Sequence, residues 1–303
     1  MFPSFPFNKE LNGKNICRTF PFKIGFTVAL LITVSLVPPF SKARDSRASD
    51  LKASDLKISE LHFQSPETQV SLIEVYSSQG CSSCPPAQRW VNEFTTENRL
   101  WQGIIPLVFH VDYWDYIGWS DPFAKAQYSK RQSNYKHAGR INSVYTPGFV
   151  LNGREWRGWF RQQPLPATAN KVGKLKVAIN QQYLSLAFRP ISIPSPKPDA
   201  KELLEVNIAL LGFGLRTEVK RGENARRVLP EEFVVLEHKR LPYGRDNTEI
   251  PWPKSSIQAK QYAIAVWLTE RLTLRPIQAT GGYIPNSWVV LQADWYNKYS
   301  SEK

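Results

Sequence analysis

The feature that most constrains the fold is a cysteine pair, Cys81 and Cys84, set between a β-type segment and a helical one. Residues 69–76, QVSLIEVY, are mostly apolar and β-rich, which predicts a strand buried on both faces. Pro85 suits the first turn of a helix, where its missing N–H costs nothing. Residues 104–111, IIPLVFHV, predict a second buried strand. The order is therefore strand, C-x-x-C, helix, strand, as in an α/β domain.

The number and spacing of the cysteines indicate which type of site they form. The chain has three cysteines, and the third, Cys17, lies in the N-terminal leader. A C-x-x-C disulfide closes almost no loop and adds little chain-entropy stabilisation, which argues against a structural staple. Free N–H groups and the dipole at a helix start favour a thiolate. We therefore expect Cys81 to be an exposed nucleophile and Cys84 to resolve mixed disulfides.

Residues 1–43 have the pattern of a signal peptide or an N-terminal anchor. Basic residues precede an apolar run at 24–37, and a small-x-small sequence ends at Ala43. Residues 44–66 are polar, repeat Ala-Ser-Asp-Leu-Lys, and predict a linker. We expect an extracytoplasmic protein, periplasmic or secreted, that touches a membrane only if the anchor is not cleaved.

The formal net charge of +13 raises the question of nucleic-acid binding. The basic residues are spread along the chain, with no Lys/Arg run longer than two and no zinc-finger or RNP-like pattern. We expect a solvated basic surface and no nucleic-acid partner.

The remaining chain divides into a mixed strand–helix region and a β-rich region. An aromatic loop at 112–123 precedes a polar helix, and a strand at 144–151 leads into the turn Asn152-Gly153. Beyond residue 168 the helical patterns fade, and we expect an all-β, sandwich-like C-terminal domain over 169–303. Its predicted strands are 175–179, 183–188, 203–211, 233–238 and 262–269.

Four motifs occur in order: YSSQGCSSCPPA, FHVDYWDYIGWSDPF, VYTPGFVLNG and KRGENARRVLP. Together they resemble the exported thioredoxin-like family catalogued as domain of unknown function 1223, over about residues 68–275. The resemblance implies a thioredoxin-like α/β domain at 67–168 and export, while the reaction of the family is unassigned. In the thioredoxin superfamily a proline, usually cis, faces the dithiol, and Thr146 and Pro147 occupy that place.

One departure from thioredoxin concerns a buried acid six residues before the first cysteine. Val75 has that offset here, and Glu74 is one residue further back, on the opposite face of the strand. Glu74 either takes the proton-transfer role, if the loop absorbs one residue, or pairs with a buried partner.

The end of the second strand supplies further candidates. His110 could lower the pKa of Cys81, join both sulfurs in a Cu or Zn site, or be a hydrogen-bonded structural residue. Asp112 could orient it or cap the loop. Tyr113 and Trp114, with the aromatic side chains that follow them, either wall a groove over the dithiol or pack in the core.

The leading hypothesis is an exported thiol–disulfide oxidoreductase-like protein acting on extracytoplasmic thiol or disulfide proteins. Its site residues are Cys81, Cys84, Thr146 and Pro147, and it needs no cofactor. One alternative is a metallochaperone that binds Cu or Zn through Cys81, Cys84 and His110. Another is a non-catalytic binding module on a thioredoxin frame. The direction of the redox reaction does not follow from the sequence.

Overall fold

A computed structural model describes residues 59–191, 204–244 and 249–289. All of these described residues belong to one compact unit. The helices are α1 Cys84–Asn92 and α2 Ala126–His137; the strands are β1 Leu61–Gln64, β2 Ser71–Ser77, β3 Ile104–His110, β4 Gly148–Leu151, β5 Arg154–Glu155, β6 Gly173–Ile179, β7 Tyr183–Pro190, β8 Leu204–Phe213, β9 Leu215–Glu218, β10 Val228–Glu231, β11 Val234–Pro242, β12 Ile250–Pro251, β13 Gln261–Glu270 and β14 Pro276–Ile284. The predicted leader lies outside the described residues, as does most of the predicted linker.

The main sheet has eight strands in the order β14-β13-β8-β11-β3-β2-β4-β5. β2 and β3 pair in parallel, and every residue of both strands is buried. Their continuous apolar sequences predicted such doubly covered strands. β11 also pairs in parallel with β3, through Val234 and Val108, whereas β4 runs antiparallel to β2. α1 connects β2 to β3, and α2 connects β3 to β4.

A second sheet has four strands in the order β1-β6-β7-β12, and β9 and β10 form a hairpin of their own. One buried apolar cluster combines side chains of this second sheet with side chains of the main sheet, such as Leu175 and Leu186 with Ile208 and Ile264. A separate cluster on β2, β3 and β4 extends to Phe213 of β8. Two β layers therefore share one core, and the other core includes strands from both halves of the chain.

The end of the predicted linker is a strand rather than a polar connection. β1 pairs antiparallel with β6, and Leu61 and Phe63 pack against the second core. Their two-residue spacing is that of a strand with one apolar face, a pattern outweighed in the sequence by the surrounding polar residues.

The predicted domain boundary at residue 168 does not separate two compact units. β8, β11, β13 and β14 belong to the predicted C-terminal domain, yet they extend the sheet that contains β2, β3 and β4. The connection depends on the pairing of β11 with β3, between residues more than a hundred positions apart, which local sequence patterns do not reveal.

No helix among the described residues is long and apolar enough to cross a membrane.

Candidate active site

Three chain segments meet at the carboxyl end of β2. β2 ends at Ser77, and β3 ends opposite it at His110. β4 begins at Gly148, opposite Tyr76, because it runs antiparallel to β2. The C-x-x-C turn that follows β2 therefore lies beside the end of β3 and the segment that leads into β4.

Both cysteines are free thiols and both are buried: Cys81 is 1% exposed and Cys84 is 2% exposed. The expectation that Cys81 would be exposed is therefore wrong. The aromatic loop lies close to the turn, since a Cβ added at Gly80 would approach the Cβ of Trp114 to 3.0 Å. The sequence left open whether the aromatic residues of this loop wall a groove over the dithiol or pack in the core.

Cys81 lies between its own turn and the segment before β4. Its Sγ is 3.2 Å from Oγ of Ser83 and 3.8 Å from the backbone oxygen of Thr146. The Thr146–Pro147 peptide bond is cis. Trp114 donates from Nε1 to Oγ1 of Thr146 at 2.8 Å. Thr146 thus stands beside Cys81, and Pro147 follows it in the chain.

The two thiols differ strongly in acidity. The hydrogen bond from Cys84 lowers the pKa of Cys81 to about 6 against the opposing effect of burial, and bonds from Ser83 and Thr146 assist. Burial raises the pKa of Cys84 well above its ordinary value, and the hydrogen bond to Cys81 raises it further. At neutral pH the arrangement favours a Cys81 thiolate that accepts a hydrogen bond from a protonated Cys84.

His110 is buried between two carboxylates. Its Nδ1 lies 2.7 Å from Oδ2 of Asp121, and its Nε2 lies 3.6 Å from Oε1 of Glu231. Burial lowers the pKa of His110, but the charges of Asp121 and Glu231 outweigh burial and raise it to about 9. His110 is therefore held as a buried cation by Asp121. The hydrogen-bonded structural interpretation of His110 fits these contacts.

Gln79 joins this group to the turn that carries the cysteines. It donates from Nε2 to Glu231 at 2.7 Å, and its backbone N–H donates to Asp121 at 2.8 Å. Trp119 donates from Nε1 to the side-chain oxygen of Gln79 at 3.1 Å. Burial raises the pKa of Glu231 to about 7. A buried acid thus lies close to the dithiol turn, and it comes from β10 rather than from β2.

Glu74 points into a different cluster. Arg131 of α2 donates to both of its carboxylate oxygens, at 2.7 and 2.8 Å. The hydroxyls of Tyr76 and Tyr135 also donate to Glu74, at 2.7 and 2.6 Å. All four side chains are buried. The buried-partner alternative for Glu74 is the one that the contacts support, and the proton-transfer alternative is not.

The other supporting residues hold the aromatic loop. Asp112 accepts a short hydrogen bond from Oγ of Ser129 on α2, so it fixes the loop and does not orient His110. Tyr113 donates to Oε1 of Gln132 at 3.1 Å. Tyr116 stacks on Trp114 and is 82% exposed. Trp114 and Tyr113 both lie close to Thr146, beside the dithiol.

The Arg221-Gly222-Glu223-Asn224 motif contacts the dithiol turn directly. Asn224 is buried, and its Nδ2 donates to the backbone oxygens of Gln79 and Cys81, both at 2.9 Å. Glu223 accepts from the backbone N–H of Ser82 at 2.9 Å. The motif was visible in the sequence, but no local signal linked it to residues more than 140 positions earlier.

The metal-site alternative does not fit the geometry. In the part of the chain that the structure describes, no group of three His, Cys, Asp or Glu side chains could hold a metal ion. The Nδ1 of His110 is bonded to Asp121, and its other ring nitrogen faces Glu231. Cys81, Cys84 and His110 are therefore not brought together as ligands.

A family model described as "Protein of unknown function (DUF1223)" matches residues 72–269. The chain belongs to this family. The match includes the C-x-x-C turn, the Thr146–Pro147 bond and the Asn224 motif. No curated protein matches the sequence.

Two solved structures are similar to parts of the DUF1223 chain. Protein AGR_C_4864 from Agrobacterium tumefaciens is 21% identical, with a TM-score of 0.46, and the match covers 71% of this chain and 94% of that chain. HBP35 of Porphyromonas gingivalis is 10% identical, with a TM-score of 0.43, and the match covers 72% of this chain and 76% of that one.

Proposed function

We propose that this protein carries out thiol–disulfide exchange through Cys81 and Cys84. The observation that carries the proposal is the position of the Cys81 Sγ, 3.2 Å from Oγ of Ser83 and 3.8 Å from the backbone oxygen of Thr146, and the opposite pKa shifts of the two thiols agree with it. A thiolate is the reactive form of cysteine, and a pKa near 6 makes Cys81 mostly ionised at neutral pH. Inert buried cysteines have raised pKa values, as Cys84 alone does here.

In the exchange, the Cys81 thiolate attacks a substrate disulfide, and a Cys81–substrate mixed disulfide forms as the first substrate sulfur leaves. Cys84 then loses its proton and attacks the Cys81 sulfur. The protein disulfide forms, and the second substrate sulfur leaves as a thiolate that takes up a proton. The substrate is reduced by two electrons and the protein dithiol is oxidised by two. Exchange is reversible, so the oxidised protein can in turn oxidise a substrate dithiol.

We also propose a thioredoxin-like fold for the region around the dithiol. The strand order β3-β2-β4, with β3 parallel and β4 antiparallel to β2, supports it. So does the position of the C-x-x-C turn between β2 and α1, with Pro147 directly before β4. The leader pattern at residues 1–43 supports an extracytoplasmic location, where the substrates would be thiol or disulfide proteins.

The decisive measurement is the reduction potential of the Cys81/Cys84 couple, by equilibration with glutathione buffers and mass detection of both forms. We expect a two-electron couple between about −120 and −270 mV, the range of known oxidoreductases. A potential below about −300 mV, typical of inert structural disulfides, would contradict the proposal.

The burial of Cys81 favours a second candidate, a non-catalytic binding module. A thiol that is 1% exposed is poorly placed to react with a large partner unless the aromatic loop moves. In that case a Cys81→Ser, Cys84→Ser double variant would bind partner proteins as the natural chain does.

A further inference from the structure

A pocket of about 490 Å³ opens beside α1 and β10. Cys84 is part of its wall, and Cys81 is not among the residues that line it. The volume is within the range of small-molecule sites, about 300–1,000 Å³. The pocket therefore reaches the dithiol at Cys84.

One side chain that lines this pocket offers a buried acceptor without a partner. Gln88 is 5% exposed and lines the pocket, and its Oε1 is buried without a hydrogen-bond partner. Its Nε2 is already used, donating to Asn92 and to the backbone oxygen of Glu232. Glu231 also lines the pocket, but its carboxyl oxygens face Gln79 and His110. An unsatisfied buried acceptor is costly, so this pocket is suited to a ligand group that donates hydrogen bonds.

The other walls differ in character. Arg89 and Arg227 are exposed and line the pocket, so they place two cations at its rim. Pro85, Leu229 and Pro230 add apolar surface to the lining. A ligand that fits would carry a donor such as an ammonium at one end, a carboxylate at the other, and a short body between them.

We propose that this pocket binds a small zwitterionic thiol, such as a cysteine-containing di- or tripeptide, and directs its sulfur to Cys84 of the oxidised protein. The inference rests on the proposed exchange activity and names a substrate class for it. Because Cys84 lines the pocket and Cys81 does not, the incoming sulfur meets Cys84 first.

The chemistry is consistent with this direction of approach. The ligand thiolate attacks the Cys84 sulfur, a ligand–Cys84 disulfide forms, and Cys81 leaves as a thiolate. Thiols of low pKa leave faster, and Cys81 is the more acidic of the pair. A second ligand thiolate then attacks the ligand sulfur and releases the ligand disulfide. The two ligand thiols lose two protons in all. One proton goes to Cys84, and the other enters solvent because Cys81 stays ionised.

The test treats the oxidised full chain with reduced glutathione, quenches rapidly with N-ethylmaleimide, and locates the glutathionyl group by tandem mass spectrometry. We expect it on Cys84. Finding it on Cys81 alone would overturn the inference and leave the exchange activity standing. Finding no mixed disulfide and no reduction would contradict the proposed exchange itself.

A variant pair tests the role of the pocket. We expect Arg89→Gln to slow reduction by glutathione about fivefold, which is the effect of losing one exposed charge pair with a ligand carboxylate. Cysteamine lacks a carboxylate, so its reduction of the Arg89 variant should be unchanged. Arg216→Gln removes an exposed arginine of β9 that does not line the pocket, and we expect no change with either thiol. Equal rates for both variants with glutathione would show that the rim does not bind the ligand.

Discussion

At the scale of single residues, the chain uses two buried acids for different purposes. The charge of Glu74 is balanced by Arg131, and two tyrosine hydroxyls donate hydrogen bonds to its carboxylate. Glu74 is therefore a structural anchor between β2 and α2. Glu231 has no arginine or lysine partner among the described ion pairs and lies beside the buried cation His110. The sequence offered Glu74 because it lies near the cysteines in the chain. Glu231 could not be found in this way, because it lies 147 positions after Cys84 in the chain.

Glu74→Gln tests the structural assignment. Removing the carboxylate leaves the buried Arg131 uncompensated, and we expect a loss of about 3–5 kcal/mol in the free energy of unfolding. The pKa of Cys81, followed by thiolate absorbance in the folded variant, should stay where it is, because Glu74 is not among the causes of its shift. A large change in that pKa with little loss of stability would assign Glu74 to the dithiol instead.

The His110 group makes stability depend on pH. The folded chain holds the His110 proton up to a pKa of about 9, against 6.5 for the ordinary side chain. The folded state therefore binds more protons than the unfolded state between these values, and the free energy of unfolding should fall as pH rises through this range. Glu231, with its pKa raised to about 7, acts in the same direction at lower pH.

Urea denaturation at a series of pH values measures this slope. We expect His110→Gln to reduce it between pH 6.5 and 9. His137→Gln serves as the control because His137 is exposed at the end of α2. An unchanged slope in the His110 variant would mean that this residue is not the group that titrates.

At the scale of elements, local pattern predicted the parts of the fold that local physics decides. The continuous apolar runs became β2 and β3, and the proline-led segment became α1. β14 was missed because Gly281 and Gly282 weaken its strand pattern. A Cβ at Gly281 would lie 2.3 Å from the backbone oxygen of Ile264, so the tight pairing with β13 needs the glycine there. The reason for that glycine becomes visible only when the neighbouring strand is in place.

The hairpin of β9 and β10 carries Asn224 to the dithiol turn, and Asn224→Ala tests that contact. The change removes two hydrogen bonds to backbone oxygens and leaves these oxygens unsatisfied, which we expect to cost about 1–3 kcal/mol. The turn should loosen, and alkylation of Cys81 by iodoacetamide should become severalfold faster at a pH where the thiol is ionised.

Glu223→Gln is the matched control for this element, since the amide oxygen can still accept from Ser82. We expect its alkylation rate to remain near that of the natural chain. If both variants react at the natural rate, the motif does not govern access to Cys81.

At the scale of the whole molecule, the pairing of β11 with β3 joins the two halves of the chain into one sheet. The sequence distinguished a strand–helix region from a β-rich region. These two regions do not correspond to two compact units. A change in composition along a chain reports local structure. It does not report which strand edges meet, and that pairing decides whether a boundary exists.

A single cooperative unfolding transition is the expected consequence. Phe213 and Phe233, from the C-terminal half, pack in the same core as Val108 and Phe109 of β3. A chain ending at residue 168 would lose these partners and leave the β11-facing edge of β3 unpaired, which exposes a buried apolar strand to water. We therefore expect calorimetry of the natural chain to give one transition whose calorimetric and van't Hoff enthalpies agree. A fragment of residues 56–168 should be digested rapidly by proteases. Two separate transitions, with a protease-resistant fragment, would restore the division at residue 168.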